Sequence, residues 1–167
     1  MFKILQIIYK AIWFVLPAYV ANATPVMLGG GPPIDGGRKF WDGNRVLGNG
    51  KTIQGFVLGF LAGSVAGFIQ IYFWLPYGDW IVAIFLPLGA LFGDLFGSFV
   101  KRRLGLRRGK PLPVLDQLDF VLGALFLASV VVVPELEVII ILLVVTPFVH
   151  LGTNFIGFRF GVKSEPY

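Results

Sequence analysis

The sequence predicts an all-α integral membrane protein of about five transmembrane helices, with two long cytoplasmic loops, the N-terminus outside and the C-terminus cytoplasmic. Three observations carry this expectation. Hydrophobic residues make up 56% of the 167 residues and mean hydropathy is +0.81, against roughly 45–50% apolar content in a soluble domain. Residues 52–78, 120–134 and 138–158 contain no Asp, Glu, Lys or Arg, and such stretches approach or exceed the ~20 residues a spanning helix needs. Basic residues gather in two long connections, while the short turns contain none, which is the asymmetry of the positive-inside rule.

Taken in order, the first helix covers about 4–23. Lys3 before an apolar run and Ala21-Asn22-Ala23 after it resemble a secretory signal, but the charged region is thin and Lys10 interrupts the core, which favours a retained helix. Loop 24–52 carries Arg38, Lys39, Arg45 and Lys51. The second and third helices, 53–75 and 80–100, flank a turn at 76–79. Loop 101–116 carries Lys101, Arg102, Arg103, Arg107, Arg108 and Lys110. The fourth and fifth helices, 117–133 and 136–157, flank a turn at 134–135, and the tail holds Arg159 and Lys163. Both loops and the tail are therefore cytoplasmic, and an odd number of spans leaves the N-terminus outside. Residues 1–167 read as a single domain in the cell membrane, with any chemistry facing the cytoplasm.

Several function classes drop out on composition. The absence of cysteine excludes thiolate catalysis and Cys-ligated metal sites, and a single His argues against a His-rich centre. The net charge of +5 lies between apolar spans, where it sets topology or meets headgroups rather than nucleic acid.

Gly55, Gly59, Gly63 and Gly67 form a small-residue row on the second helix, and Gly89, Gly93 and Gly97 another on the third; the two helices are expected to pack closely through them. On the fifth helix, Thr146, His150 and Asn154 recur at i, i+4 and i+8 as a polar stripe suited to interhelical hydrogen bonds. The Asn22-Ala23-Thr24 sequon lies at the cytoplasmic end of the first helix and reads as a polar helix terminus.

Loop 24–52 is too rich in Pro and Gly for a helix, yet its acids, bases and Trp41 suit a folded ligand-binding loop. Its ending, GNGKT, is not a phosphate-binding P-loop, because Arg45 stands where the first glycine belongs. Thr52 can still cap the second helix, and Lys51 with the free N–H groups there could meet a phosphate. Lys51 as a snorkelling anchor is the equal alternative.

The stretch 93–119, GDLFGSFVKRRLGLRRGKPLPVLDQLD, concentrates the chemistry. Asp94, Ser98 and Lys101 share one helix face. An ionised Asp within a spanning helix costs about 2.5–3.5 kcal/mol on insertion scales, so it faces a partner, cavity or ion. Asp116 and Asp119 open the fourth helix, where acids complement the helix dipole. Three carboxylates with bases between them suit a magnesium nucleotide, since Mg²⁺ takes one or two carboxylates plus phosphates and water. Phosphoryl or nucleotidyl transfer then needs positioning and electrostatics rather than a protein nucleophile.

This stretch resembles the signature of CDP-diacylglycerol synthase-type membrane cytidylyltransferases, through Gly93-Asp94-Leu95, Ser98, Lys101-Arg102, Gly105, Pro113, Asp116 and Asp119. It departs where Pro113-Val114-Leu115 replaces a His-Gly-Gly, where an acid is missing around 107–109, and where Gln117 replaces an Arg. Asn22-Ala23-Thr24-Pro25, Asp35, Asp42-Gly43 and Gly50-Lys51-Thr52 are similar to the archaeal branch, the CDP-archaeol synthases. The resemblance implies a single transmembrane cytidylyltransferase domain that transfers CMP from CTP to an isoprenoid glycerophosphate lipid, with Mg²⁺. Asp94, Asp116 and Asp119 are the candidate metal-holding and catalytic residues. Candidate substrate-binding residues are Asn22, Lys39, Asp42, Arg45, Lys51, Thr52, Ser98, Lys101, Arg102, Lys110, His150 and Asn154. Another phosphatidate-like acceptor stays open as an alternative. A CDP-alcohol phosphotransferase fits less well, because neither Asp35-Gly36 nor Asp42-Gly43 starts its acid motif. A lipid or ion transporter, with Asp94 as a cation or proton site, is the alternative from a different class.

Overall fold

A computed structural model describes residues 2–73, 79–106 and 110–161. Within them lie α1 (Phe2–Leu28), α2 (Ile53–Tyr72), α3 (Trp80–Arg103), α4 (Leu115–Ala128) and α5 (Leu136–Arg159). All but α4 are long and apolar enough to cross a membrane. Residues 76–78 of the turn expected at 76–79, Arg107, Arg108 and Lys163 lie outside the described residues.

Contacts fix the directions of the helices. Pro17 and Ala21 of α1 meet Gly63 and Gly59 of α2, Gly67 and Gly59 meet Ala83 and Leu91 of α3, and Gly89 and Gly97 meet Ala124 and Asp119 of α4. Each of these neighbours is antiparallel. In contrast, α1 and α5 run parallel, joined by Lys10 to Glu135 at 3.1 Å and by Tyr19 to Thr146 at 2.8 Å. Loop 29–52, the end of α3 and the start of α4 therefore share one end of the bundle. At the opposite end Glu135 offsets Lys10, so the unbalanced positive charge belongs to the loop end.

The core is made where α1, α3 and α4 meet: Phe14, Val15, Leu86, Phe120 and Val121 are buried with Ala11, Ala18, Ala90 and Ala124. Of the large apolar side chains of α2, Phe56 and Phe60 pack against the core, whereas Val57, Leu61, Val65 and Phe68 are exposed, and only its glycines and Ser64 are fully buried. In lipid this arrangement costs nothing, because close backbone approach rather than apolar burial drives helix association there.

Prolines and glycines cooperate in that approach. Pro17 leaves the Trp13 carbonyl without its helical donor, and Gln70 Nε2 donates to it at 2.6 Å. Pro25 and Pro87 likewise free the carbonyls of Ala21 and Ala83. Gly59 and Gly67 lie against these carbonyls so closely that an added Cβ would sit 2.7 Å and 3.2 Å from their oxygens. The row on α2 thus contacts both α1 and α3. The second and third helices do pack, but not row against row as the sequence suggested: the second row faces α4, where a Cβ at Gly93 would sit 2.2 Å from the Asp119 carbonyl oxygen. Periodicity identifies the small face of a helix but not its neighbour.

Helix ends also differ from expectation. α1 continues past residue 23 to Leu28, with Thr24 Oγ1 bonded back to the Val20 carbonyl at 2.7 Å. The fourth helix, expected over 117–133, begins at Leu115 and stops at Ala128, because the β-branched run Val130 to Val133 followed by Pro134 disfavours continuation. Its 14 residues span about 21 Å at 1.5 Å per residue, short of the ~30 Å hydrocarbon core.

The loop before α2 folds around Asp35. Its carboxylate is 1% exposed and accepts from the backbone N–H groups of Gly37, Leu47 and Gly48 at 3.1, 3.0 and 2.9 Å. Nε and Nη2 of Arg45 complete its shell. Gly36 and Gly37 follow with φ of 55° and 84°, left-handed values that glycine adopts without strain. Around this centre, Lys39 and Arg45 form an antiparallel bridge, as do Pro33 and Thr52.

Gly93→Ala forces a methyl into the α3–α4 contact and should cost about 1–3 kcal/mol, the range for overpacking, read as a lower Tm; Gly152→Ala, with nothing within 4 Å, should leave Tm unchanged. Arg45, aided by the three N–H donors and against the effect of burial, holds the Asp35 carboxyl well below the usual carboxylate range. Its stabilisation is complete above the ordinary value of about 3.9 and lost only as pH falls through the depressed one. Protease cleavage within 24–52 should therefore not change between about pH 7 and pH 5, whereas Asp35→Asn should speed it about tenfold or more at both, as the open population rises.

Candidate active site

Lys51 is placed by the cap that follows it. Thr52 Oγ1 accepts from Gly55 N at 3.1 Å and Gly30 N at 3.3 Å, which satisfies the first turn of α2 and fixes its entry. The Lys51 ammonium then reaches α3 and donates to Asp94 Oδ1 and Oδ2 at 2.7 and 2.6 Å. Sequence suggested an anion or the interface as its destination; in the structure it compensates the acid inside the helix.

A second pair repeats this two turns further along α3. Lys101 Nζ lies 2.7 Å from Asp116 Oδ2, which also accepts from Leu112 N at 2.9 Å. Between them Val114 adopts φ 70°, an unfavourable conformation for a β-branched residue, at the place where the wider motif carries glycine. Asp119 sits in the groove made by Gly97, where an added Cβ would lie 2.0 Å from its Oδ2. Its backbone lies against Gly93, the residue before Asp94, and Asp116 precedes it by three residues on α4. The three acids thus share a neighbourhood, although no group of three Asp, Glu, His or Cys converges as a preformed metal cluster among the described residues. Ser98 is partly buried on the same helix.

Two arginines close the α3 end. Arg103 Nη2 donates to the Arg45 carbonyl at 2.6 Å, and its guanidinium lies 4.7 Å from the centroids of both Phe40 and Phe99. Its Nε is 3.0 Å from Asp42 Oδ2, but off the line of a hydrogen bond, so this contact is ionic. Arg103 therefore clamps the loop hairpin onto α3. Arg102 donates through Nη1 to the Leu106 carbonyl and passes Gly48 of the loop at 3.7 Å from the position of a Cβ. Its Nε and Arg103 Nη1 are buried with no hydrogen-bond partner, donors of the kind that phosphate oxygens satisfy.

The other candidates divide. Arg45 holds Asp35 within the loop, and Asp42 ties the loop to Arg103 of α3. Lys39 in the loop and Lys110 are exposed, and Asn22 is partly buried on α1. On α5, Thr146 bonds to Tyr19 of α1, the interhelical role expected of that stripe. His150 shares a 3.2 Å contact with Asn154 and packs 6.4 Å, ring to ring, from Phe120, the neighbour of Asp119. Two residues named in the sequence have organising roles there unassigned: Asp35 stood only among the residues that resemble the archaeal branch, and Arg103 only among the bases of loop 101–116.

With this geometry in place, comparison with known proteins is informative. The profile of a family described as CarS-like, CDP-archaeol synthase, matches residues 4–167. A protein of Thermococcus kodakarensis named CDP-archaeol synthase is 50% identical over 98% of each chain. Its namesake in Methanocaldococcus jannaschii is 44% identical over 95% of this chain and 97% of its own. A solved structure described as an intramembrane enzyme for archaeal membrane lipids biosynthesis is 45% identical, with a TM-score of 0.82 over 88% of this chain and 94% of that one. The chain is a multi-pass membrane enzyme and belongs to the CDP-archaeol synthase family.

Proposed function

We propose that the protein transfers CMP from CTP to the phosphate of an unsaturated isoprenoid glycerol ether lipid, forming CDP-archaeol and pyrophosphate at the cytoplasmic face of the cell membrane. The observation that carries this reading is the meeting of Lys51 and Asp94, which brings the polar loop against an acid of α3 beside Asp116 and Asp119. The cytoplasmic assignment rests on the positive charge at that end of the bundle.

The donor set fits magnesium. Asp94, Asp116 and Asp119 offer hard carboxylate oxygens, and Mg²⁺ is ordinarily held by one or two carboxylates together with substrate phosphates, not by a complete protein cage. These three residues would hold it. When bound, it would supply charge neutralisation on the triphosphate. Lys101, Arg102 and Lys110 bind the triphosphate, and the unpartnered Nε of Arg102 suits a non-bridging oxygen. Lys39, Arg45 and Lys51 serve either phosphate partner. The lipid phosphate oxygen attacks the α-phosphorus in line, the bond to the β-phosphate oxygen breaks, and pyrophosphate leaves. An ionised phosphate needs no general base, which agrees with the absence of cysteine and the single His.

In lipid vesicles with a phosphate-bearing isoprenoid ether acceptor, pyrophosphate release should require CTP and stop on chelation. Asp94→Asn should lower kcat by about 100-fold or more, the scale of losing one preorganised electrostatic group, while the protein stays folded and its elution volume is unchanged. A folded Asp94→Asn protein with unchanged turnover would remove Asp94 from the site. Cation or lipid flux across sealed vesicles without CTP consumption would favour a transporter instead.

A further inference from the structure

The acids assigned to the metal are already held by cations of the chain itself. Lys51 and Asp94 have side chains 26% and 22% exposed, and Lys101 and Asp116 are 15% and 25% exposed. Charges so withdrawn from water need compensation. Lys51 balances the formal charge of Asp94, and Lys101 that of Asp116.

The manner of pairing differs from that at Asp35. There an arginine fork and three backbone N–H groups hold the acid permanently. Among the described residues, Asp94 accepts hydrogen bonds from Lys51 alone. A lysine ammonium is a compact charge on a flexible stem, able to swing between partners without losing a planar fit. Close by, buried N–H groups of Arg102 and Arg103 have no partner.

We propose that Lys51, with Lys101 as its counterpart, is an exchangeable counter-ion: each holds its carboxylate in the protein alone and moves to a nucleotide phosphate when the metal takes that carboxylate. This rests on the preceding reading of the site. The exchange demands both ligands. A divalent cation arriving alone must displace an ammonium that has no anion to receive it, and a triphosphate arriving alone meets lysines still tethered to carboxylates. Together they swap partners with little change in local charge. Metal and nucleotide therefore bind with positive coupling, which linkage makes reciprocal.

Mn²⁺ binding to the full-length protein in detergent, followed by the free-ion EPR signal without lipid acceptor, tests this. Wild type should bind Mn²⁺ about tenfold or more tighter with CTP present, within the usual range of coupling. Lys51→Met should bind Mn²⁺ alone about tenfold tighter than wild type and lose most of the tightening by CTP. Lys51→Arg, which keeps the charge, should bind Mn²⁺ alone as weakly as wild type. Unchanged nucleotide-free affinity in Lys51→Met would overturn the exchange; if that variant does not fold, Lys101→Met decides by the same readout. A wild-type protein that neither binds CTP nor transfers CMP overturns the functional reading, whereas one that does both while these variants leave Mn²⁺ affinity unchanged overturns the exchange alone.

Discussion

The ammonium of Lys51, within 2.7 Å of both oxygens of Asp94, joins two parts of the molecule that differ in every other respect. One is a polar, glycine-rich loop with no regular helix; the other is an apolar helix. An acid at that depth in α3 is tolerable only with a partner, and the loop supplies it. Everything that positions Lys51 therefore serves the site: the Thr52 cap, the Asp35 centre, and the clamp of Arg103 on Phe40 and the Arg45 carbonyl.

The bundle answers a constraint of its own. In hydrocarbon, a carbonyl freed by proline has no water to bond. Gln70 takes one such carbonyl, and glycines press against two others. The same device recurs between α3 and α4, where Gly93 and Gly97 admit the backbone and side chain of Asp119. Close packing and acid placement are thus one feature, and α4 does not have to span the bilayer to deliver its carboxylates to the loop end.

Much of this was legible in the residues. Charge-free stretches located the apolar helices, and the charge asymmetry of the loops matched the end of the bundle where they gather. Asp94, Asp116 and Asp119 stood out because acids are costly or orienting at such places, and they do fall in one neighbourhood. Hydropathy could not end α4 at Ala128, since Val130 to Val133 are as apolar as any helix. Spacing could not say that Gly93 faces Gly123 rather than the α2 row. Nor could it pair Lys51 with Asp94, because a contact across 43 residues leaves no local pattern. The organising roles of Asp35 and Arg103 went unassigned for the same reason: each acts through long-range contacts that exist only once the loop is folded.

On the proposed function, the loop-end acids and bases form one site where a lipid phosphate displaces pyrophosphate from CTP. The most direct measurement follows the label from two forms of CTP, given with an isoprenoid glycerophosphate lipid to the purified protein in vesicles. Radioactivity from the α-phosphate should enter the extracted lipid, and that from the γ-phosphate should appear only in pyrophosphate. Label from the γ-phosphate in the lipid, or none from the α-phosphate, would contradict the account.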